Sequence, residues 1–345
     1  METNKLERLL QKYRTAPPQY QATSYWGAYE KRIVDAIRSL DVSQLRSGKY
    51  PILATFGIGD AVYMYHANMR FLKKLILKLI HRYIINRRAI LPYGLSMSNI
   101  QEIAYHHCKL MGDCTGSRPI NSIEVSKFGN PRGVFKQDNH EYTVQFLAYY
   151  IRYCFSNRHV KYRGDEIVVE LGSGSGYQTE VLKKLYPNMT FLCFDLPAQI
   201  CLCEEYLAHA LGEDSIVGTD VTLEWNDLSG IKKGGVHFFG NWQFPLLRGI
   251  EFDVFWNAAS FGEMEPDVVA NYIDIIRGNA KWIYLLQARH GKETRGKAHV
   301  NRPVTLENYK KLLSGYVLQE EHDAWQAHRR LGESGGYFEG IWKRG

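Results

Sequence analysis

Two hydrophobic periods divide the chain near residue 160. Upstream, apolar residues recur at the spacing of helices. Leu72, Leu75, Ile76, Leu79, Ile80, Tyr83 and Ile84 share one helical face, and Lys73, Lys74, Lys78 and Arg82 take the other. A helix packed on a core accounts for this stripe, with a membrane-surface helix as the alternative reading. Residues 25–40 and 141–155 carry the same period, the second rich in aromatics (Tyr142, Phe146, Tyr149, Tyr150 and Tyr153). Between them Gly129-Asn130-Pro131 and Gly133 signal turns.

Downstream the pattern alternates. Residues 166–171 form a short β-branched apolar run that ends in glycines, which predicts a strand. A helix follows over 177–186, stopped by Pro187, then a strand over 190–194 and a helix over 197–211 ended by Gly212. Further strands are predicted at 236–239, 252–257, 282–286, 316–320 and 337–342, with helices at 266–277 and 305–313. The stretch 213–250 is the least regular. Strands alternating with helices predict an α/β fold built on a mostly parallel sheet. The chain divides into a mainly helical region over 1–160, a substrate lid or oligomerisation element, and a sheet domain over 161–345.

Composition narrows the function classes. With 345 residues, 45% hydrophobic and 23% charged, the chain has ample apolar material for a core and none of the bias of a disordered polymer. Its six cysteines are scattered, several inside apolar runs, which fits buried thiols rather than a disulfide framework. Cys201-x-Cys203 lacks zinc-knuckle spacing. The charged N-terminus has no apolar signal region, and no long uncharged apolar stretch predicts a membrane span, so a cytoplasmic location is expected. The net charge of +7 is spread along the chain, apart from one concentration over 73–88. It favours anionic small substrates or surfaces, and without an arginine stripe or RNA-binding motif no nucleic-acid partner is expected.

The strongest chemical signal is Val169-Glu170-Leu171-Gly172-Ser173-Gly174-Ser175-Gly176. A glycine turn directly after a first strand lets backbone approach a bound nucleotide, and a helix N-terminus follows. Nineteen residues beyond Gly176 the second strand ends in Asp195, placed to accept hydrogen bonds from ribose hydroxyls. A dinucleotide fingerprint would put its third glycine where Tyr177 stands, and the lysine of a phosphate loop is absent. The earlier Gly57-Ile58-Gly59-Asp60 is only a fragment of such a loop and reads as a turn. Glu170 decides between ligands. A carboxylate at the strand tip repels pyrophosphate and suits a nucleoside with a cationic far end, as the ammonium and sulfonium of S-adenosylmethionine are.

With Glu170, Gly172, Gly174, Gly176 and Asp195 in these positions, residues 160–345 resemble class I S-adenosylmethionine-dependent methyltransferases. The resemblance implies a Rossmann-like sheet with helices on both faces. It lays the glycine loop along the methionine part of the cofactor and puts Asp195 on the ribose. Asn257, after the fourth strand, joins the cofactor candidates. The family places an adenine-contacting residue after the third strand; no Asp-Ala-type pair occurs there, which leaves Asp220 or Asn241-Trp242-Gln243 as candidates. A narrower resemblance links Ile123-Glu124-Val125, Gly129-Asn130-Pro131 and the segment from Asn257 to Met264 to a group of sugar O-methyltransferases. It implies a sugar, nucleotide-sugar or glycan acceptor.

Methyl transfer to a sugar hydroxyl calls for aligned approach and removal of a proton. The candidate bases are Glu263 after the fourth strand, His290 after the fifth, and His140 reaching over from the N-terminal region. Arg289 and Lys292 either bind an anionic substrate group or belong to a solvated loop. His106-His107 has no nearby acid cluster, so no metal site is assigned, although a divalent cation stays open. Three other readings compete: methyl transfer to a natural product, amine or carboxylate; a nicotinamide oxidoreductase, disfavoured by Tyr177 and Glu170; and a cofactor-binding module without catalysis.

Overall fold

A computed structural model describes residues 3–56, 97–292, 300–324 and 336–345. The amphipathic stripe over 71–85 and the turn at 57–60 lie outside the described residues. The described residues form ten strands: β1 (Phe135–Gln137), β2 (His140–Tyr142), β3 (Ile167–Leu171), β4 (Thr190–Asp195), β5 (Ile216–Val217), β6 (Val236–Gly240), β7 (Phe252–Ala258), β8 (Ala280–Ala288), β9 (Tyr316–Asp323) and β10 (Tyr337–Arg344). The helices used below are α1 (Thr3–Arg14), α2 (Ser24–Arg38), α3 (Met97–Thr115), α4 (Val144–Val160), α5 (Tyr177–Leu185), α6 (Pro197–Leu211), α7 (Pro266–Ile276) and α8 (Leu306–Leu312).

Strands β3 to β10 form one sheet in the order β5-β6-β4-β3-β7-β8-β10-β9. The pairs from β5 to β8 are parallel, and β10 runs antiparallel to both of its neighbours. Helices cover both faces, so inward and outward positions are apolar alike. Val168, Phe191 and Cys193 pack beneath α4, α5 and α6 with Tyr150, Cys154 and Ile200. Their neighbours Val169, Leu192 and Phe194 turn to the opposite face, with Val269, Ile273 and Tyr309 of α7 and α8. The architecture is the mostly parallel α/β sheet that the alternating pattern predicts, and it is Rossmann-like as the resemblance implies.

The order places the crevice. The chain leaves β3 through α5 toward β4 on one side and reaches β7 and β8 on the other, with α5 and α7 on opposite faces. The carboxyl ends of β3 and β7 therefore diverge at a topological switch point, where open α/β sheets bind ligands.

Upstream elements differ in detail from the periodicity. The helix expected at 141 begins at Val144, capped by the Thr143 side chain, which accepts from the Phe146 amide at 3.1 Å. Before it Asp138 and Asn139 adopt positive φ (45° and 66°) and close a two-residue hairpin between β1 and β2. The irregular 213–250 stretch contains β5, a four-residue helix (Thr219–Thr222), β6 and a short helical turn (Asn241–Leu247).

Candidate functional site

All three glycines of the loop after β3 take positive φ: Gly172 at 80°, Gly174 at 52° and Gly176 at 76°. Only glycine enters this region cheaply. At Gly172 a side chain would also overlap the Ser260 hydroxyl. Gly176 precedes α5 and packs on α6, where an added Cβ would lie 2.9 Å from Leu207 Cγ. It is not among the residues lining the cavity described next.

A cavity of about 280 Å³ opens at the switch point. Its floor is the backbone from Glu170 to Ser175 with Asp195 and Leu196. The β7 side contributes Ala258, Ala259, Ser260, Glu263 and Met264. Gln145, Tyr149 and Arg152 line it from α4, and Gln21, Ala22, Thr23 and Trp26 close it from the N-terminal segment. Asn241, Tyr272 and Gln199 complete the polar wall. Sequence reading left the α4 and N-terminal contributors unassigned. One signal was available: Gln145, Tyr149 and Arg152 are spaced i, i+4, i+7, one helical face of mixed polar character on an apolar helix.

Three acids meet in this wall. Glu170 is buried and accepts from Thr179 Oγ1 at 2.8 Å. Burial pushes its pKa up to about 8, against the Thr179 hydrogen bond; the Asp195 charge adds to the rise and Arg152 opposes it. Asp195 accepts the Gly174 amide and the Leu196 amide, each at 2.8 Å. Burial raises it to about 7, opposed by those two amides and reinforced by Glu263. The side chain of Glu263 is 12% exposed and pairs with Lys292, whose ammonium also donates to the Tyr25 hydroxyl at 2.7 Å. Burial raises the Glu263 pKa, while Lys292 and a hydrogen bond from Trp26 work against the rise. Deprotonated buried carboxylates make a cavity that favours cations.

Several sequence candidates sit elsewhere. Asn257 is fully buried below the loop instead of facing the cavity. Its amide donates to the Leu171 carbonyl (2.8 Å) and Ser260 Oγ (2.7 Å), and its oxygen accepts from the Phe261 amide (3.1 Å) and Gln287 (2.5 Å). These bonds tie β3, β7 and β8 together, so Asn257 positions the loop. His290 does not line the cavity: β8 runs to Ala288, the chain turns at Gly291 (φ 81°), and the histidine is left exposed. His140 stays on the β1–β2 hairpin with Nδ1 against the Asp138 carbonyl at 2.9 Å, also away from the cavity. Arg289 is taken up by Glu321 (2.5 Å) and Asp323 (2.7 Å), and Lys292 by Glu263.

For the adenine candidates, Asp220 is exposed and outside the cavity wall, and Gln243 donates to the Thr222 carbonyl at 2.8 Å. Asn241 does line the cavity. Its Nδ2 donates to the Tyr20 carbonyl (2.7 Å) and to the Tyr272 hydroxyl (3.0 Å), whereas its Oδ1 is buried without a hydrogen-bond partner. A buried acceptor left unpaired costs free energy until a donor reaches it. Among the described residues no cluster of three or more His, Cys, Asp or Glu is arranged to hold a metal, and no helix is long and apolar enough to cross a membrane. No disulfide joins the six cysteines, and all but Cys114 are buried.

No protein-family model matches the chain, and a comparison with curated proteins finds no match. Solved structures resemble it at low identity. The pyocyanin biosynthetic protein PhzM is 12% identical over 59% of this chain and 57% of its own, with a TM-score of 0.40. The mitomycin 7-O-methyltransferase MmcR is 12% identical over the same shares, with a TM-score of 0.38. An S-adenosylmethionine-dependent methyltransferase from Clostridium acetobutylicum is 11% identical over 58% of this chain and 92% of its own, at 0.40. The match thus spans less than two thirds of the first two chains, at 57% of each.

Proposed function

We propose that this chain is an S-adenosylmethionine-dependent O-methyltransferase that acts on a hydroxyl of a sugar or glycoconjugate. The observation that carries the cofactor reading is the convergence of Glu170 and Asp195, from adjacent parallel strand ends, on one cavity floored by the glycine loop. The residues fit the ligand. Glu170 suits the methionine ammonium, and the lone pairs that Asp195 keeps beyond its two amide bonds suit the ribose hydroxyls. The orphaned Asn241 Oδ1 suits the adenine amino group. When bound, this cofactor supplies an electrophilic methyl group.

The chain's own task is then to hold an acceptor hydroxyl in line and take its proton. Of the three candidate bases Glu263 is the one that lines the cavity, and Lys292, which also donates to the Tyr25 hydroxyl, pairs with its carboxylate. A sugar acceptor is supported by the mixed wall. Trp26 and Tyr149 add aromatic surface, and Gln21, Thr23 and Gln145 add amides and a hydroxyl.

The test is transfer from methyl-labelled S-adenosylmethionine to a panel of free sugars, nucleotide-sugars, oligosaccharides, phenols and amines. Label on a sugar hydroxyl is the expected result. Label only on phenols or amines would keep the methyltransferase and replace the acceptor. Tight dinucleotide binding with no affinity for S-adenosylhomocysteine would sink the whole reading.

A further inference from the structure

Glu170, Asp195 and Glu263 bring three acids to the cavity wall, and among its described residues Arg152 is the only cation. Its guanidinium lies 4.2 Å from the centre of the Tyr149 ring, a contact that fixes the plane of the fork. It hydrogen-bonds Tyr149 and feels the charge of Glu339, a buried carboxyl of β10 outside the cavity lining. The other cations near this end of the sheet are committed, Arg289 to Glu321 and Asp323, Lys292 to Glu263. Arg152 is also close enough to Glu170 to lower that carboxyl's pKa by its charge.

We propose that Arg152 binds the carboxylate of the cofactor's methionine end, beside the ammonium held by Glu170, an inference that rests on the cofactor reading above. An amino acid carries its ammonium and carboxylate on one carbon, so the groups that recognise them must sit side by side with opposite charge. Glu170 at the end of β3 and Arg152 on α4 meet that condition across one cavity. A guanidinium is also the side chain whose paired N–H groups match a carboxylate bidentately. The helical N-terminal region thus supplies part of the cofactor site as well as a cover for it.

Calorimetric titration of wild type, Arg152→Gln and Arg152→Lys with two ligands tests this. S-adenosylhomocysteine has the amino-acid end, and methylthioadenosine keeps the nucleoside and thioether without it. Arg152→Gln is expected to weaken S-adenosylhomocysteine by about 10- to 100-fold, the range for losing a charge-assisted pair. Methylthioadenosine affinity should stay within about twofold, which also shows that the variant is folded, and Arg152→Lys should fall between. Equal weakening of both ligands would assign Arg152 a structural role and overturn the proposal. Unchanged S-adenosylhomocysteine affinity with a raised acceptor KM would move Arg152 to the acceptor and overturn it too. A wild type that binds neither ligand would remove the cofactor reading itself, a failure visible before any variant is made.

Discussion

Replacing Glu170 with glutamine should make the ligand-free protein more stable at alkaline pH while weakening its hold on cofactor. In the fold this carboxyl titrates at about 8, against an ordinary 4.5. Between those values an unfolded chain has already lost the proton that the folded chain retains. Stability therefore is fully present below pH 4.5 and falls as pH rises toward 8. At about 1.4 kcal/mol per pH unit the whole interval amounts to roughly 5 kcal/mol, and water in the open cavity reduces this to about 2–3 kcal/mol. Glutamine keeps the shape, can still accept from Thr179, and does not titrate. Urea denaturation of both proteins from pH 5 to 9 should give curves that coincide near pH 5 and diverge in favour of the variant by about 2–3 kcal/mol at pH 9. Saturating S-adenosylhomocysteine should reverse the ranking at pH 8, because its ammonium stabilises the charged form of Glu170 alone. Parallel pH curves would refute the argument that Glu170 is held against its preferred ionisation.

Gly172→Ala should destabilise the protein by about 2–4 kcal/mol, since alanine meets both a positive φ and the Ser260 hydroxyl; a urea midpoint unchanged from wild type would refute it. Lys292→Met removes the charge that holds the Glu263 pKa down, so the acid limb of the kcat/KM profile should move to higher pH. A pH profile that does not move would exclude Glu263 as the base. Alanine at His290 and at His140 should leave kcat/KM within about twofold, because neither ring reaches the cavity; a loss of a hundredfold or more in either would restore that histidine as a base.

Much of the fold was legible because its signals are local. The strand–helix alternation after residue 160 depends on side-chain period and on punctuation by Pro187, Pro197 and Gly212, and those elements lie within a few residues of their predicted limits. Period alone could not reveal the β1–β2 hairpin, whose three-residue strands are too short to establish alternation. The carboxyl end of β8 was also drawn short, at residue 286. The chain continues as strand to Ala288 because β10 pairs with it through Tyr337, a partner 49 positions away.

The candidate site divides along the same line. The sequence by itself determined the glycine turn, Glu170 and Asp195, because positive φ at Gly172, Gly174 and Gly176 and an acid at a strand tip are properties of neighbouring residues. Only the tertiary structure decided that Asn257 works beneath the loop and that Glu263 pairs with Lys292. It alone brought Arg152, Tyr149 and Trp26 to the cavity. These residues come together through strand order and through helices docked across the crevice. Such distances are set by packing between distant segments, and no local pattern encodes them.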